Sequence, residues 1–228
     1  MVSPTSNHLL AVKCIFRYLQ GTIHQGLAFT LGPLTFFAYS DANWAGDPMD
    51  MKSISGILVF LGNSPITWFA KKQPTVSRSF TEAEYMALAS CAVELCWICM
   101  LLKDFVAFLH SPPTLWCDNI SALAIASNPM FHARIKHIEV DYNFVREKVL
   151  CHDLQVKFVS SHDQLADILT KGLPSPRFHW LVSKLMWCFP MILRGDEEKS
   201  SISLSQQPSD DPKISSESRN KGKAQAQF

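Results

Sequence analysis

A handful of carboxylates carry the chemistry that this sequence could perform. They are Asp41 in "FAYSDANWAG", Glu82 and Glu84 in "SRSFTEAEYMAL", Asp118 in "TLWCD" and Asp167 in "DQLADILTK". Singly, each is ordinary: an Asp after an apolar run stops a strand, and a Glu early in a helix caps it. Together, two aspartates at strand ends, a glutamate at a helix start and an aspartate in a flanking helix can meet at one rim of a sheet. Carboxylates gathered there repel one another unless cations hold them. Hard oxygen ligands with few histidines suit Mg²⁺ or Mn²⁺ better than zinc. Two such ions about 3.5–4 Å apart can activate a water and stabilise a leaving oxygen in phosphodiester cleavage.

The elements that must deliver those acids are legible as patterns. Residues 34–41, "LTFFAYSD", read as a strand ending on Asp41, and residues 55–72 as a hairpin with Gly62-Asn63 at its turn. A long helix is expected from Thr81 to Leu109, stopping before Pro112-Pro113. A short buried strand over 114–118 is followed by helical patterns over 119–127 and 136–151. Residues 154–161 alternate as a strand, 164–173 read as a helix closed by Gly172, and a last helix covers 176–185. An amphipathic helix over 8–20, closed by Gly21, precedes them all. Three strands in a meander, then strands alternating with helices, predict an α/β fold built on a mixed sheet covered by helices. At the start of the long helix both Thr81–Glu84 and Ser79–Glu82 have capping-box spacing, so spacing leaves open which glutamate is free.

Bulk composition excludes several classes. With 228 residues, 47% of them hydrophobic, the chain can build one domain with a real core. A formal charge of +1 gives no global polyanion signature, so any nucleic-acid contact must come from a local patch. Seven irregularly spaced cysteines argue against a disulfide framework and for a reducing compartment. Cys96 and Cys99 form a C-x-x-C inside an apolar helical run and read as core filler. The N-terminus lacks a signal-peptide layout. Residues 86–102 have the composition of a short membrane span, but Glu94 interrupts them, and a buried core helix explains them better. No glycine-rich phosphate loop or nucleophile elbow is present.

In order along the chain, "YSDANWAGD", "KSISGILVFLG", "ITWFAKKQPTVSRSFTEAEYMAL", "LWCDNISALAIASNP", "KHIEVDYNFVRE" and "QLADILTKGL" closely resemble the ribonuclease H domain of copia-type retrotransposon polyproteins, over about residues 8–185. The resemblance implies a ribonuclease H-like fold, a five-stranded mixed sheet with helices on both faces. It implies an endonuclease that cuts the RNA strand of RNA–DNA hybrids with two Mg²⁺ (or Mn²⁺) ions. Carried over by position, Asp41, Glu84, Asp118 and Asp167 are the catalytic, metal-binding acids. Residues 1–32 become a remnant of the segment joining reverse transcriptase, 33–185 the ribonuclease H-like domain, and 186–228 a low-complexity tail. From about 193 that tail is too polar to offset its ordering entropy and reads as disordered. The implied partners are an RNA–DNA hybrid and the reverse transcriptase domain of the parent polyprotein, with no membrane. In the parent element the implied location is a cytoplasmic virus-like particle. Three features depart from the family pattern: Phe80 where a serine is usual, Asn143 where a histidine is usual, and the tail itself.

For substrate contacts, Lys71, Lys72 and Arg78 flank the hairpin edge, and Arg134, Lys136, His132 and His137 form a second basic group. Such residues can position phosphates without reading sequence. Asn43, Asn119 and Gln164 are expected donors to a 2′-hydroxyl or a phosphate, with solvated-surface roles as the plain alternative. His162, five residues before Asp167, resembles the mobile histidine that precedes the last aspartate of cellular ribonucleases H and can assist proton transfer or product release; the loop here is shorter, and an ordinary surface histidine is the plain alternative. His132 and His137 lack a cysteine pair for a zinc site. Two functions remain in competition: a working ribonuclease H, and a non-catalytic relic or domesticated nucleic-acid-binding module on the same sheet.

Overall fold

The β-rich runs and apolar helical stripes assemble into one mixed sheet with helices on each face. The computed structural model describes residues 3–23, 25–27, 29–46, 48–127, 139–185 and 187–188. In chain order the elements are α1 (Ser6–Thr22), β1 (Gln25–Gly26), β2 (Phe36–Asn43), β3 (Ile54–Leu61), β4 (Ser64–Lys72), α2 (Phe80–Asp104), β5 (Thr114–Cys117), α3 (Ile120–Ser127), α4 (Glu139–Leu150), β6 (Gln155–Phe158), α5 (Asp167–Thr170), α6 (Ser175–Leu185) and β7 (Trp187–Cys188). The main sheet runs β4-β3-β2-β5-β6. The β2–β3–β4 meander is antiparallel, whereas β5 and β6 run parallel to β2. This is the five-stranded mixed sheet that the resemblance implies. A two-residue ladder, Gln25–Gly26 against Trp187–Cys188, pairs β1 with β7.

The period of two in β2 sorts its side chains between two cores. Phe36 and Ala38 join Ile57, Val59 and residues of α2, α3 and α4, among them Leu88, Leu95, Ala122 and Val145. Phe37 and Tyr39 face the other way, to a smaller cluster holding Leu58, Phe60, Leu165 and Leu181 beside α5 and α6. Ala42 meets Ala83 and Ala87, small residues that let the first turns of α2 approach the end of β2. The helix α2 is long and apolar enough to cross a membrane. In this fold its Ala87, Leu88, Cys91, Leu95 and Ile98 are instead buried in the core.

Several boundaries differ from the expected ones. The strand β2 continues two residues past Asp41, so the aspartate lies within a paired strand. The helix α2 ends at Asp104, five residues before Leu109. Its last turn closes with Val106 N–H bonding to the Lys103 carbonyl at 2.9 Å and Ala107 N–H to that of Leu102 at 2.9 Å, with Val106 at φ 60°. That is a Schellman closure with a β-branched residue where glycine is usual, which hid it from the sequence. Gly21 does not close α1, which continues to Thr22, whose hydroxyl donates back to the Tyr18 carbonyl at 2.9 Å. The helix expected over 164–173 is a single turn: before it Asp167 N–H bonds to the Gln164 carbonyl three residues back, and after it Lys171 is extended, its side chain drawn to Asp41. No residue of α1 is buried, and among the described residues Tyr18 makes a ring contact with Phe178 of α6, at 6.2 Å between centroids. The tail lies outside the described residues, apart from 187–188.

Candidate active site

Asp41 is completely buried, and its charge is met by the residues of and just beyond α5 packed beside it. It pairs in register with Gly56 of β3. A Cβ on Gly56 would stand 2.6 Å from the Thr170 methyl and 3.1 Å from the Leu169 Cβ. The missing side chain therefore lets α5 press onto the sheet beside Asp41. Through that gap the Thr170 hydroxyl donates to Asp41 Oδ2, and the Lys171 ammonium reaches Asp41 Oδ1 at 3.1 Å. Burial pushes the Asp41 carboxyl above the usual range, with Thr170 and Lys171 pulling it back.

Asp167, at the first position of α5, shares the same ammonium, with Lys171 Nζ 2.7 Å from Asp167 Oδ1. Its other oxygen lies 3.3 Å from the Arg177 guanidinium. Arg177 also donates to the carbonyls of Ser161 and His162, fixing the loop before α5 against α6. Desolvation opposes the Lys171 charge, but its bonds to Asp167 and Asp41 outweigh that cost and hold its pKa above the ordinary value.

The other two acids are in the opposite condition. Glu84, Cys117 and Asp118 bring a ligand atom each within 4.8 Å of one another. Glu84 is fully buried, and neither of its carboxylate oxygens has a hydrogen-bond partner; nor has Asp118 Oδ1. Only Asp118 Oδ2 is partnered, accepting from the Ser161 hydroxyl at 3.0 Å. Burial first, then the charges of Asp41 and Asp118, push the Glu84 carboxyl up to about 9. The Ala42 backbone pulls the other way without reaching hydrogen-bond geometry, as does Lys171. Buried acceptors left unpartnered are costly, and oxygen donors clustered this way fit a hard divalent cation. Burial also raises the Cys117 thiol, and Glu84, Asp118 and Asp41 add to the effect, so beside these acids it is held as the neutral thiol.

The helix start shows why Glu84 is the uncommitted glutamate. Ser79 caps α2 by accepting from Glu82 N–H at 3.2 Å, and the Glu82 carboxylate accepts from Arg78 N–H at 2.9 Å. Of the two capping spacings the chain uses Ser79–Glu82.

No protein-family model matches the chain. Over 186 residues it is 48% identical to the retrovirus-related Pol polyprotein from transposon RE1 of Arabidopsis thaliana, covering 81% of this chain and 13% of that protein. Over 177 residues it is 38% identical to the corresponding polyprotein from transposon TNT 1-94 of Nicotiana tabacum, covering 77% of this chain and 13% of that protein. This chain belongs to the copia-type retrotransposon Pol family. It spans about 13% of the length of these curated relatives. Among solved structures, the LC11-RNase H1 isolated from compost aligns with 60% of this chain and 93% of its own, at 12% identity and a TM-score of 0.46. The ribonuclease H-like fold of this copia-type domain is read from its strand order and directions.

The polar residues expected to touch substrate are mostly occupied inside the copia-type domain. Gln164 is a correction: it is fully buried, its amide donates to the Ser40 carbonyl at 2.9 Å and its oxygen accepts from Ala166 N–H at 3.3 Å. It ties the loop before α5 to β2 and does not present a donor to a ligand. Asn119 is the cap of α3, its side-chain oxygen accepting from Ala122 N–H at 2.9 Å. Asn43 donates to the Thr170 carbonyl at 3.2 Å and so tethers α5. Lys71 and Arg78 are exposed, and Lys72 pairs with Asp50 at 3.2 Å. The Arg78 loop is pinned by Trp44, whose indole N–H donates to the Ser77 carbonyl at 3.0 Å. His162 is exposed, with its ring 4.2 Å from that of Trp180. Phe80 is half exposed at the start of α2, and Asn143 is exposed on α4. His132, Arg134, Lys136 and His137 lie outside the described residues. Lys171, Arg177, Thr170, Cys117 and Gly56 were not singled out from sequence. The one signal for Lys171 was its i, i+4 relation to Asp167.

Proposed function

We propose that this domain is a ribonuclease H that cleaves the RNA strand of RNA–DNA hybrids by divalent-metal-dependent phosphodiester hydrolysis. Asp41, Glu84, Asp118 and Asp167 are its metal-holding acids. The observation that carries the reading is the set of three buried, unpartnered carboxylate oxygens on Glu84 and Asp118, in a chain whose relatives are transposon Pol polyproteins. When bound, Mg²⁺ or Mn²⁺ supplies an activated water and neutralises charge on the scissile phosphate. The chain's own contribution is to hold the acids. Glu84 is oriented by a helix whose cap uses Glu82 instead, Asp118 by the Ser161 hydroxyl, and Asp41 by its position in a paired strand. The exposed Lys71 on β4 and Arg78 just before α2 are assigned to phosphate positioning. In the parent polyprotein, the partner that supplies the hybrid is the reverse transcriptase domain, and the site of action is the cytoplasmic particle.

The test is incubation of the purified chain with end-labelled RNA–DNA hybrid, duplex DNA and duplex RNA, with and without Mg²⁺. Cleavage confined to the hybrid's RNA strand, dependent on Mg²⁺ and lost in Asp41→Asn, is expected. Hybrid binding without metal-dependent cleavage would assign the chain to the non-catalytic binding module instead.

A further inference from the structure

Within the site just proposed, the four acids divide unequally. One side, Asp41 and Asp167, is bridged by a single ammonium at 3.1 and 2.7 Å and supported by Arg177 at 3.3 Å. The other side, Glu84 and Asp118, holds three buried oxygens with no partner. Lys171 is the bridging group, and it differs from its neighbours in being able to leave. Arg177 is anchored by two backbone carbonyls as well as by Asp167. Thr170 is held within α5. The Lys171 side chain is 36% exposed on a flexible four-carbon stem just beyond α5, where the backbone turns extended.

We propose that Lys171 is a resident cation of the acidic site: its ammonium holds Asp41 and Asp167 together when divalent metal is absent and competes with a divalent ion for those same two carboxylates. The inference rests on the metal-dependent reading above. Its physical basis is charge exclusion. An ammonium and a divalent ion cannot share the Asp41 and Asp167 oxygens without strong like-charge repulsion in a buried setting. A divalent ion therefore binds there only as the lysine swings out, and its observed affinity is lowered by the fraction of molecules in which the lysine is seated. Among the described residues no ammonium or guanidinium is bonded to Glu84 or Asp118. Two ions then bind in order, first where the acids are bare and second where Lys171 must yield. The resident ammonium would let the domain fold without metal and would set how much free metal is needed to complete the site.

Direct Mn²⁺ binding to the full chain, followed by calorimetry and by the loss of the free-Mn²⁺ electron paramagnetic resonance signal, tests this apart from cleavage. Wild type is expected to bind two ions in separate steps, the second at least tenfold weaker. Lys171→Met is expected to tighten the second step tenfold or more, and to melt earlier than wild type without metal but not with it. Lys171→Arg should resemble wild type. Lys171→Gln, which keeps a hydrogen-bond donor without the charge, serves as the uncharged variant if Lys171→Met does not fold. Two steps in wild type with an unchanged or weakened second step in the uncharged variant would overturn the role of Lys171 alone. Absence of any Mn²⁺ binding by folded wild type would overturn the metal-dependent reading, and this inference with it.

Discussion

The two halves of the acidic site obey opposite rules. Around Asp41 and Asp167, the described carboxylate contacts include two cationic side chains and a hydroxyl. Around Glu84 and Asp118, burial is just as deep for the glutamate, yet three oxygens are left without hydrogen bonds. A protein folding for stability alone would not leave them so, because each buried unsatisfied acceptor costs about 1–3 kcal/mol. The satisfied half supports the fold, and the unsatisfied half is where an external cation gains most.

The sharpest way to break this comparison is to remove the charge from each half in turn. Glu84→Gln and Asp41→Asn are both expected to reduce Mg²⁺-dependent hybrid cleavage below detection. The two should differ in metal-free stability: Glu84→Gln melts higher than wild type at neutral pH, whereas Asp41→Asn does not, because it strips Lys171 of a partner. Equal turnover by either variant in saturating Mg²⁺ would remove that residue from the metal set. Glu82→Gln, by contrast, should retain cleavage.

The pH dependence follows from Glu84. Its carboxyl sits at about 9 when folded and at the ordinary glutamate value when unfolded. The folded state therefore holds a proton that the unfolded chain releases. That contribution to stability is fully present below about pH 4.5 and is lost as pH rises towards 9, by at most about 1.4 kcal/mol per pH unit. Thermal melts of the metal-free protein from pH 5 to 9 should show the decline, and Glu84→Gln should flatten it. Added Mg²⁺ selects the ionised carboxylate, so its stabilising effect should grow over the same range.

A smaller effect is expected from Gly56→Ala. The added methyl would meet Thr170 at 2.6 Å and should cost about 1–3 kcal/mol by overpacking. It acts on the satisfied half alone, so chemical denaturation should report the loss while Mn²⁺ still binds at Glu84 and Asp118. The smallest effect belongs to Glu82→Gln, which weakens one helix cap and should lower stability by about 1 kcal/mol or less in the same assay.

Much of the architecture could be read without coordinates because its signals are local. The hairpin announced itself through Gly62-Asn63 between two β-rich runs, and β6 through its alternation. The termini of α2 were harder. Its start carried two overlapping capping patterns, which only the Ser79 and Glu82 hydrogen bonds separate. Its end used Val106 at a position where glycine would have been the signal. Gln164 misled for a related reason: a polar side chain beside an acidic motif looks available, but its partner, the Ser40 carbonyl, lies 124 residues away.

By itself the sequence determined which acids exist, in what order, and on what kinds of element, since apolar period, turn residues and cap residues act over a few positions. Which acids are neutralised was decided only in three dimensions. The Lys171–Asp41 contact spans 130 residues and depends on a glycine in a third segment leaving room for it. No local pattern encodes such a contact, because it exists only once β3, β2 and α5 have packed, and the electrostatics of the site follow from that packing.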